Sequence, residues 1–171
     1  MGTSTEMFSG VNDQEQVWEF CLLFDFRYLA KGLSTLTSLK QHCKNLHAFV
    51  LCLDQETHNA LSKINFDYVT CLTLNEIENN DLLEVKKVRS KVEYYWTLAP
   101  SFTSFVLQKF SKTELVTYID ADLFFFSDVI PIFEEIGGAS IAIIEHRFYS
   151  RYSHYAVNGR FNVQWVSIRK N

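Results

Sequence analysis

Apolar residues in this chain fall into short continuous runs, separated by stretches where they recur every three or four positions. Residues 18–26 are almost unbroken in apolar character up to Asp25, the pattern of a strand covered on both faces. Leu29, Leu33, Leu36 and Cys43 then return at helical spacing. Residues 48–53, closed by Asp54, read as a second strand, 56–64 as a short helix and 68–74 as a third strand. Asn75 with Glu78 has the spacing of a capping box and predicts the start of an acidic helix. Val92, Tyr95, Ala99, Phe102 and Val106 keep a helical period through an aromatic segment that Pro100, lacking an N–H, is expected to kink or split. Residues 116–119 predict a fourth strand, Pro131 and Gly137-Gly138 bracket a short helix, and residues 139–144 and 162–168 give a fifth and a sixth strand. Between those last two lies a long aromatic and basic loop, 145–160. Residues 1–16 have no periodicity and are expected to be a flexible leader, with one domain over 17–171. The alternation argues an α/β fold: a mainly parallel, Rossmann-like sheet flanked by helices, with right-handed crossovers.

Composition narrows the function classes. With 171 residues, 47% of them hydrophobic, the chain can bury a core of its own. Sixteen basic against twenty acidic residues give a net charge of −4 without any dense Lys/Arg block, so a nucleic-acid partner is not expected. No apolar stretch reaches the ~20 residues of a membrane span, and any membrane role is expected to be peripheral. The four cysteines, Cys21, Cys43, Cys52 and Cys71, have no C-x-x-C spacing and no secretory signal before them. They read as reduced core thiols in a cytoplasmic protein.

The candidate chemistry sits where the fourth apolar run ends, at Tyr118-Ile119-Asp120-Ala121-Asp122-Leu123. In extended geometry, residues two apart point to the same side, so Asp120 and Asp122 would present two carboxylates at the C-terminal edge of a strand. Open α/β sheets bind ligands at that edge. Two adjacent anions repel unless a cation lies between them, and hard oxygen donors suit Mg²⁺ or Mn²⁺ bridging to phosphates. The same pattern also describes a solvated strand end with a capping aspartate.

With Asp25-Phe26-Arg27-Tyr28, the Asp-x-Asp strand and Arg160-Phe161-Asn162-Val163-Gln164-Trp165 in this order, the chain resembles nucleotide-diphospho-sugar glycosyltransferases of the GT-A fold. The likeness is to the glycogenin and lipopolysaccharide galactosyltransferase group. It implies transfer of a sugar, from a UDP-sugar by preference, to an acceptor hydroxyl on a carbohydrate or lipid-linked carrier, with Mn²⁺ or Mg²⁺ as cofactor. By the same resemblance Asp25 accepts a hydrogen bond from the base and Tyr28 stacks on it. Asp122 holds metal and diphosphate, Asp120 reaches the ribose or the metal, and Ala121 between them belongs to the donor site. Asn162 lines the sugar pocket, with Gln164 where the group has a glycine. Asp25 could equally cap the next helix and Tyr28 could equally be a core aromatic. The group often supplies a cation from the helix before the Asp-x-Asp strand; Arg89 and Lys91 are the nearest substitutes, and both also read as solvated helix-start charges.

The group's chain continues past the Phe-Asn strand into a segment with a metal-binding histidine and acceptor contacts. This sequence lacks that segment, so an incomplete domain is expected, with aromatic surface under-covered near Trp165 and at Phe124-Phe125-Phe126 and with self-association as a result. Peripheral attachment at the inner membrane fits a lipid-linked acceptor. Two alternatives remain: a donor-binding protein without turnover, and a haloacid-dehalogenase-type phosphatase. The second usually carries its Asp-x-Asp on the first strand, followed by Thr or Val where this chain has Leu123.

Overall fold

The computed structural model describes residues 16–170, so the expected leader lies outside the described residues except for Gln16. Strand β1 (Trp18–Phe24) is flanked by β2 (Leu46–Cys52) and β4 (Leu115–Ile119), with β3 (Val69–Thr73) beyond β2. These four are parallel. β6 (Phe161–Arg169) runs antiparallel between β4 and the edge strand β5 (Ile141–Glu145), giving the order β3-β2-β1-β4-β6-β5.

Continuous apolar runs are explained by helices on both faces. On one side α1 (Leu29–His42), α2 (Gln55–Ile64) and α6 (Ile130–Ile136) bring Leu36, Leu39, Leu61 and Phe133 onto Phe20, Leu22, Phe24 and Val50. On the other, α4 (Asn80–Val88) and α5 (Lys91–Lys109) cover Cys21, Phe49 and Leu51 with Leu82, Tyr94, Leu98 and Phe102. Gly32 is required in α1, because a Cβ there would stand 2.6 Å from the Phe24 ring. The four cysteines are free, and three of them are buried.

One buried charge fixes how β1 meets β4. Glu19, only 3% exposed, points to the turn that precedes β4. Its carboxylate accepts from Ser111 Oγ (2.5 Å), Lys112 N (3.1 Å), Thr113 N (3.2 Å) and Thr113 Oγ1 (2.9 Å). The register beside it pairs Glu19 with Val116 and Cys21 with Tyr118. A carboxylate so fully served by donors can stay buried, and it ties the strand that ends at Asp25 to the strand that ends at Asp120.

Several local expectations are corrected. The third strand stops at Thr73, and it is Thr73, not Asn75, that forms a capping box, with Glu76 receiving its N–H at 2.6 Å and opening α3 (Leu74–Ile77). Glu78 instead accepts from Tyr94 Oη and from Lys86, both at 2.7 Å, while Asn79 caps α4 through Leu82 N. Pro100 does not split its helix: α5 is continuous across it, held by the buried Tyr94, Leu98, Phe102 and Val106. A 3-10 stretch, Ser150–Asn158, lies inside the loop expected at 145–160. Trp165 is not under-covered; it is 4% exposed among Phe20, Phe125 and Phe133. Phe124 and Phe126 are exposed as expected, but Phe125 is half-buried against Trp165, and further apolar surface lies on β5 and β6 at Ile141, Ile143 and Val163.

Replacing Glu19 by Gln removes the charge from four hydrogen bonds and should destabilise the fold by about 2 kcal/mol. Urea unfolding monitored by circular dichroism reads this directly; an unchanged midpoint would show that the clamp is not structural.

Candidate active site at the carboxyl edge of the sheet

Four parallel strands end at one edge, and the acids that follow three of them, β1, β2 and β4, do different jobs. Asp54, after β2, is a structural residue. Its Oδ1 accepts from Thr57 N (2.8 Å) and Thr57 Oγ1 (2.6 Å), capping α2, and its Oδ2 accepts from Phe26 N (3.0 Å), anchoring the 3-10 turn Phe26–Tyr28. Burial works against the Asp54 anion, yet these hydrogen bonds prevail and hold its pKa below the usual aspartate value.

Asp25, after β1, is buried but makes no side-chain capping bond to the turn it precedes, which removes the capping explanation. Its Oδ2 accepts from Arg27 Nη2 (2.8 Å) and Nε (3.2 Å), with Lys91 Nζ at 3.7 Å. Its Oδ1 is buried and has no hydrogen-bond partner among the described residues. Such an acceptor is costly unless a donor arrives. Tyr28 is 45% exposed, so it is not a core aromatic; Lys31 Nζ lies 4.4 Å from its ring centroid.

The Asp-x-Asp pair follows β4. Asp120 is half-buried, its Oδ1 accepts from Tyr118 Oη (3.0 Å) and its N–H donates to Gln164 O on β6 (3.0 Å). Asp122 is more exposed and faces Lys31 Nζ at 3.5 Å. The chain beyond it is strapped to α1: Thr35 Oγ1 donates to Leu123 O (2.8 Å) and Phe125 N donates to Ser38 Oγ (3.2 Å). Burial raises the Asp120 pKa, the Tyr118 hydrogen bond opposes it, and the nearby negative charge of Asp122 adds a smaller upward push.

A cavity of about 800 Å³ joins these pieces, lined by Asp25, Tyr28, Asp120, Ala121 and Asp122 at its polar end. Its other walls are Lys91, Val92, Trp96 and Pro100 of α5 and the apolar residues Ile143, Val166 and Ile168. Arg89 does not line it; its guanidinium donates to Thr97 Oγ1. Nor do the side chains of Asn162 and Gln164, since Asn162 Oδ1 is taken by Gln164 N at 2.9 Å. Their orientation follows from an irregularity in β6, where pairing jumps from Ile143↔Val166 to Ile144↔Asn162. Arg27 and Tyr118 line the cavity too and were not anticipated. For Tyr118 the signal was present in the sequence, because it lies two residues before Asp120 on the same strand face.

Asp120 and Asp122 suit a hard divalent ion in kind: two carboxylates close enough for one to disturb the other's ionisation. In number they are only part of a shell, because no group of three or more His, Cys, Asp or Glu side chains among the described residues could hold a metal.

A sheet whose order turns from parallel to antiparallel at β4, with an acid-lined cavity at its carboxyl edge, is the GT-A architecture of nucleotide-sugar glycosyltransferases. The galactosyltransferase LgtC, solved with donor and acceptor sugar analogs, superposes with a TM-score of 0.56 at 13% identity, over 88% of this chain and 57% of that one. A mannosyltransferase from Pyrobaculum calidifontis, solved with GDP-Man and Mn²⁺, gives 0.54 at 12% identity over 90% and 44%. Residues 20–165 match glycosyl transferase family 8, and the chain belongs to that family. It is 37% identical to the uncharacterized protein YfnD of Bacillus subtilis over 150 residues, 87% of this chain and 48% of that protein. The chain thus spans about half the length of the curated relatives it matches. Family membership and the position of Asp-x-Asp on the fourth strand set the phosphatase alternative aside.

The raised Asp120 pKa carries a sign that can be checked. A carboxyl whose folded pKa lies above its unfolded value favours the fold most below the unfolded pKa, and that contribution is lost as pH rises through the folded pKa. The stability of the wild type relative to Asp120→Asn should therefore fall as pH is raised from below 3.8 through the folded pKa, then level off. Parallel thermal melts of both proteins across that range measure it; a difference that grows with pH contradicts the assignment.

Proposed function

We propose that this chain forms the donor-binding part of a glycosyltransferase that moves a sugar from a nucleoside diphosphate, with UDP as the favoured carrier, to a carbohydrate or lipid-linked acceptor hydroxyl. The observation that carries the reading is the convergence of Asp25, Tyr28, Asp120 and Asp122 on one cavity at the carboxyl edge. Tyr28 offers an exposed ring for the base, and the unpartnered Asp25 Oδ1 offers an acceptor for a base N–H. Arg27 and Lys91 fix the Asp25 carboxylate from its other oxygen. Asp120 and Asp122 would hold Mn²⁺ or Mg²⁺, which when bound neutralises charge on the leaving diphosphate. The side chains themselves position the donor and keep its base and phosphates in line across the cavity.

No helix among the described residues is long and apolar enough to cross a membrane, and a cytoplasmic protein working at the inner membrane surface accords with a lipid-linked acceptor. Exposed Phe124 and Phe126, outside the cavity, favour self-association.

Two titrations test the reading. Asp122→Asn should abolish the Mn²⁺-dependent part of UDP binding measured by isothermal titration calorimetry while leaving the melting temperature in place; equal affinity in the variant would sink the metal assignment. Tyr28→Ala should weaken UDP by about 1–3 kcal/mol, the scale of one base–aromatic stack. A loss of stability with no loss of affinity would return Tyr28 to a structural role.

A further inference from the structure

Lys31, like Arg89, is not among the residues that line the cavity, yet its ammonium stands beside two that are, Tyr28 and Asp122. It stands 4.4 Å from the centroid of the Tyr28 ring and 3.5 Å from Asp122 Oδ2. If the base rests on Tyr28 and the metal on Asp122, the diphosphate that links them passes within reach of the Lys31 ammonium. The neighbouring cations are engaged elsewhere: Arg27 and Lys91 with Asp25, Arg89 with Thr97.

The position of Lys31 in α1 is equally specific. Lys31, Thr35 and Ser38 are four and three residues apart, one face of a helix. They meet Asp122, Leu123 and Phe125 in the same order. Thr35 and Ser38 are buried and hold backbone, which is structural work. Lys31 is different, because about half of each partner's side chain is exposed, 55% for Lys31 and 45% for Asp122. A half-exposed ion pair of that kind adds little to the stability of a fold. An ammonium held there contributes more to an anionic ligand arriving in the cavity than to stability.

We propose that Lys31 is a diphosphate-binding residue of the donor site: its ammonium neutralises Asp122 in the free protein and turns to the donor's phosphates when a divalent ion takes the carboxylate. This rests on the donor reading above and adds the cation that Arg89 does not supply. It is an exchange of counter-ions, in which no bond is made or broken and one positive charge is always beside Asp122. The phosphates then receive two cations, the metal and Lys31.

Isothermal titration of UDP in the presence of Mn²⁺, with the wild type, Lys31→Met and Lys31→Arg, tests it, together with Mn²⁺ binding alone read by the electron paramagnetic resonance of the free ion. Lys31→Met should weaken UDP about tenfold, the size of one charged hydrogen bond, and Lys31→Arg should recover most of the loss. Lys31→Met should bind Mn²⁺ alone at least as tightly as the wild type, since the competing ammonium is gone. Unchanged UDP affinity in Lys31→Met overturns the inference, as does an equal loss in both variants. A parallel loss of Mn²⁺ affinity overturns it too, because Lys31 would then merely prop Asp122 in place. Absence of UDP binding by the wild type would instead remove the donor reading on which the inference stands.

Discussion

The alignment of the site depends on a carboxylate that takes no part in it. Glu19 sits at the start of β1 and gathers donors from the turn before β4, so the two strands are fixed against each other before either reaches the cavity. A buried anion is tolerable only when its oxygens are served, and here the satisfying groups come from a segment more than ninety residues away. Asp25 and Asp120 lie at the far ends of the strands that Glu19 joins. Their separation is therefore set by a hydrogen-bonded clamp at the opposite edge of the sheet rather than by contacts within the cavity.

The edge itself divides its acids by environment. Asp54 is saturated by hydrogen bonds and spent on capping α2 and holding the Phe26–Tyr28 turn. Asp25 keeps one oxygen without a partner among the described residues, and the negative charge of Asp122 opposes the ionisation of Asp120. Unsatisfied acceptors and crowded anions raise the energy of the free protein. These residues are poor choices for stability, which is why they stand out as a place for something to bind.

Much of this was legible along the chain. Helices on both faces make an inner strand apolar throughout, so β1, β2 and β4 announced themselves, and the acids that close them marked the working edge. What failed to show depended on contacts far apart in sequence or on irregular backbone. Glu19 looks like one charge in an apolar run, and its partners near Thr113 lie beyond any local period. Asn162 and Gln164 were expected in the pocket by resemblance, but β6 slips against β5 between Val166 and Asn162, and the slip changes which side chains face the cavity. Arg89 is two residues from Lys91, yet only Lys91 stands on the turn of α5 that opens onto the site.

The strap between α1 and the chain after Asp122 acts as a ruler. From Lys31 to Ser38 an α-helix advances about 10.5 Å, and from Asp122 to Phe125 a stretched chain covers at most about 10 Å. The two spans are commensurate, so a regular helix measures out a segment with no regular structure of its own, holding its backbone at Leu123 and Phe125 while Lys31 meets Asp122 through an exposed ion pair that can exchange. The stretch 123–125 is irregular and partly exposed, yet its spacing is set by buried side chains of a regular helix, so an inserted or deleted residue there would have to break one of the two backbone hydrogen bonds that hold it.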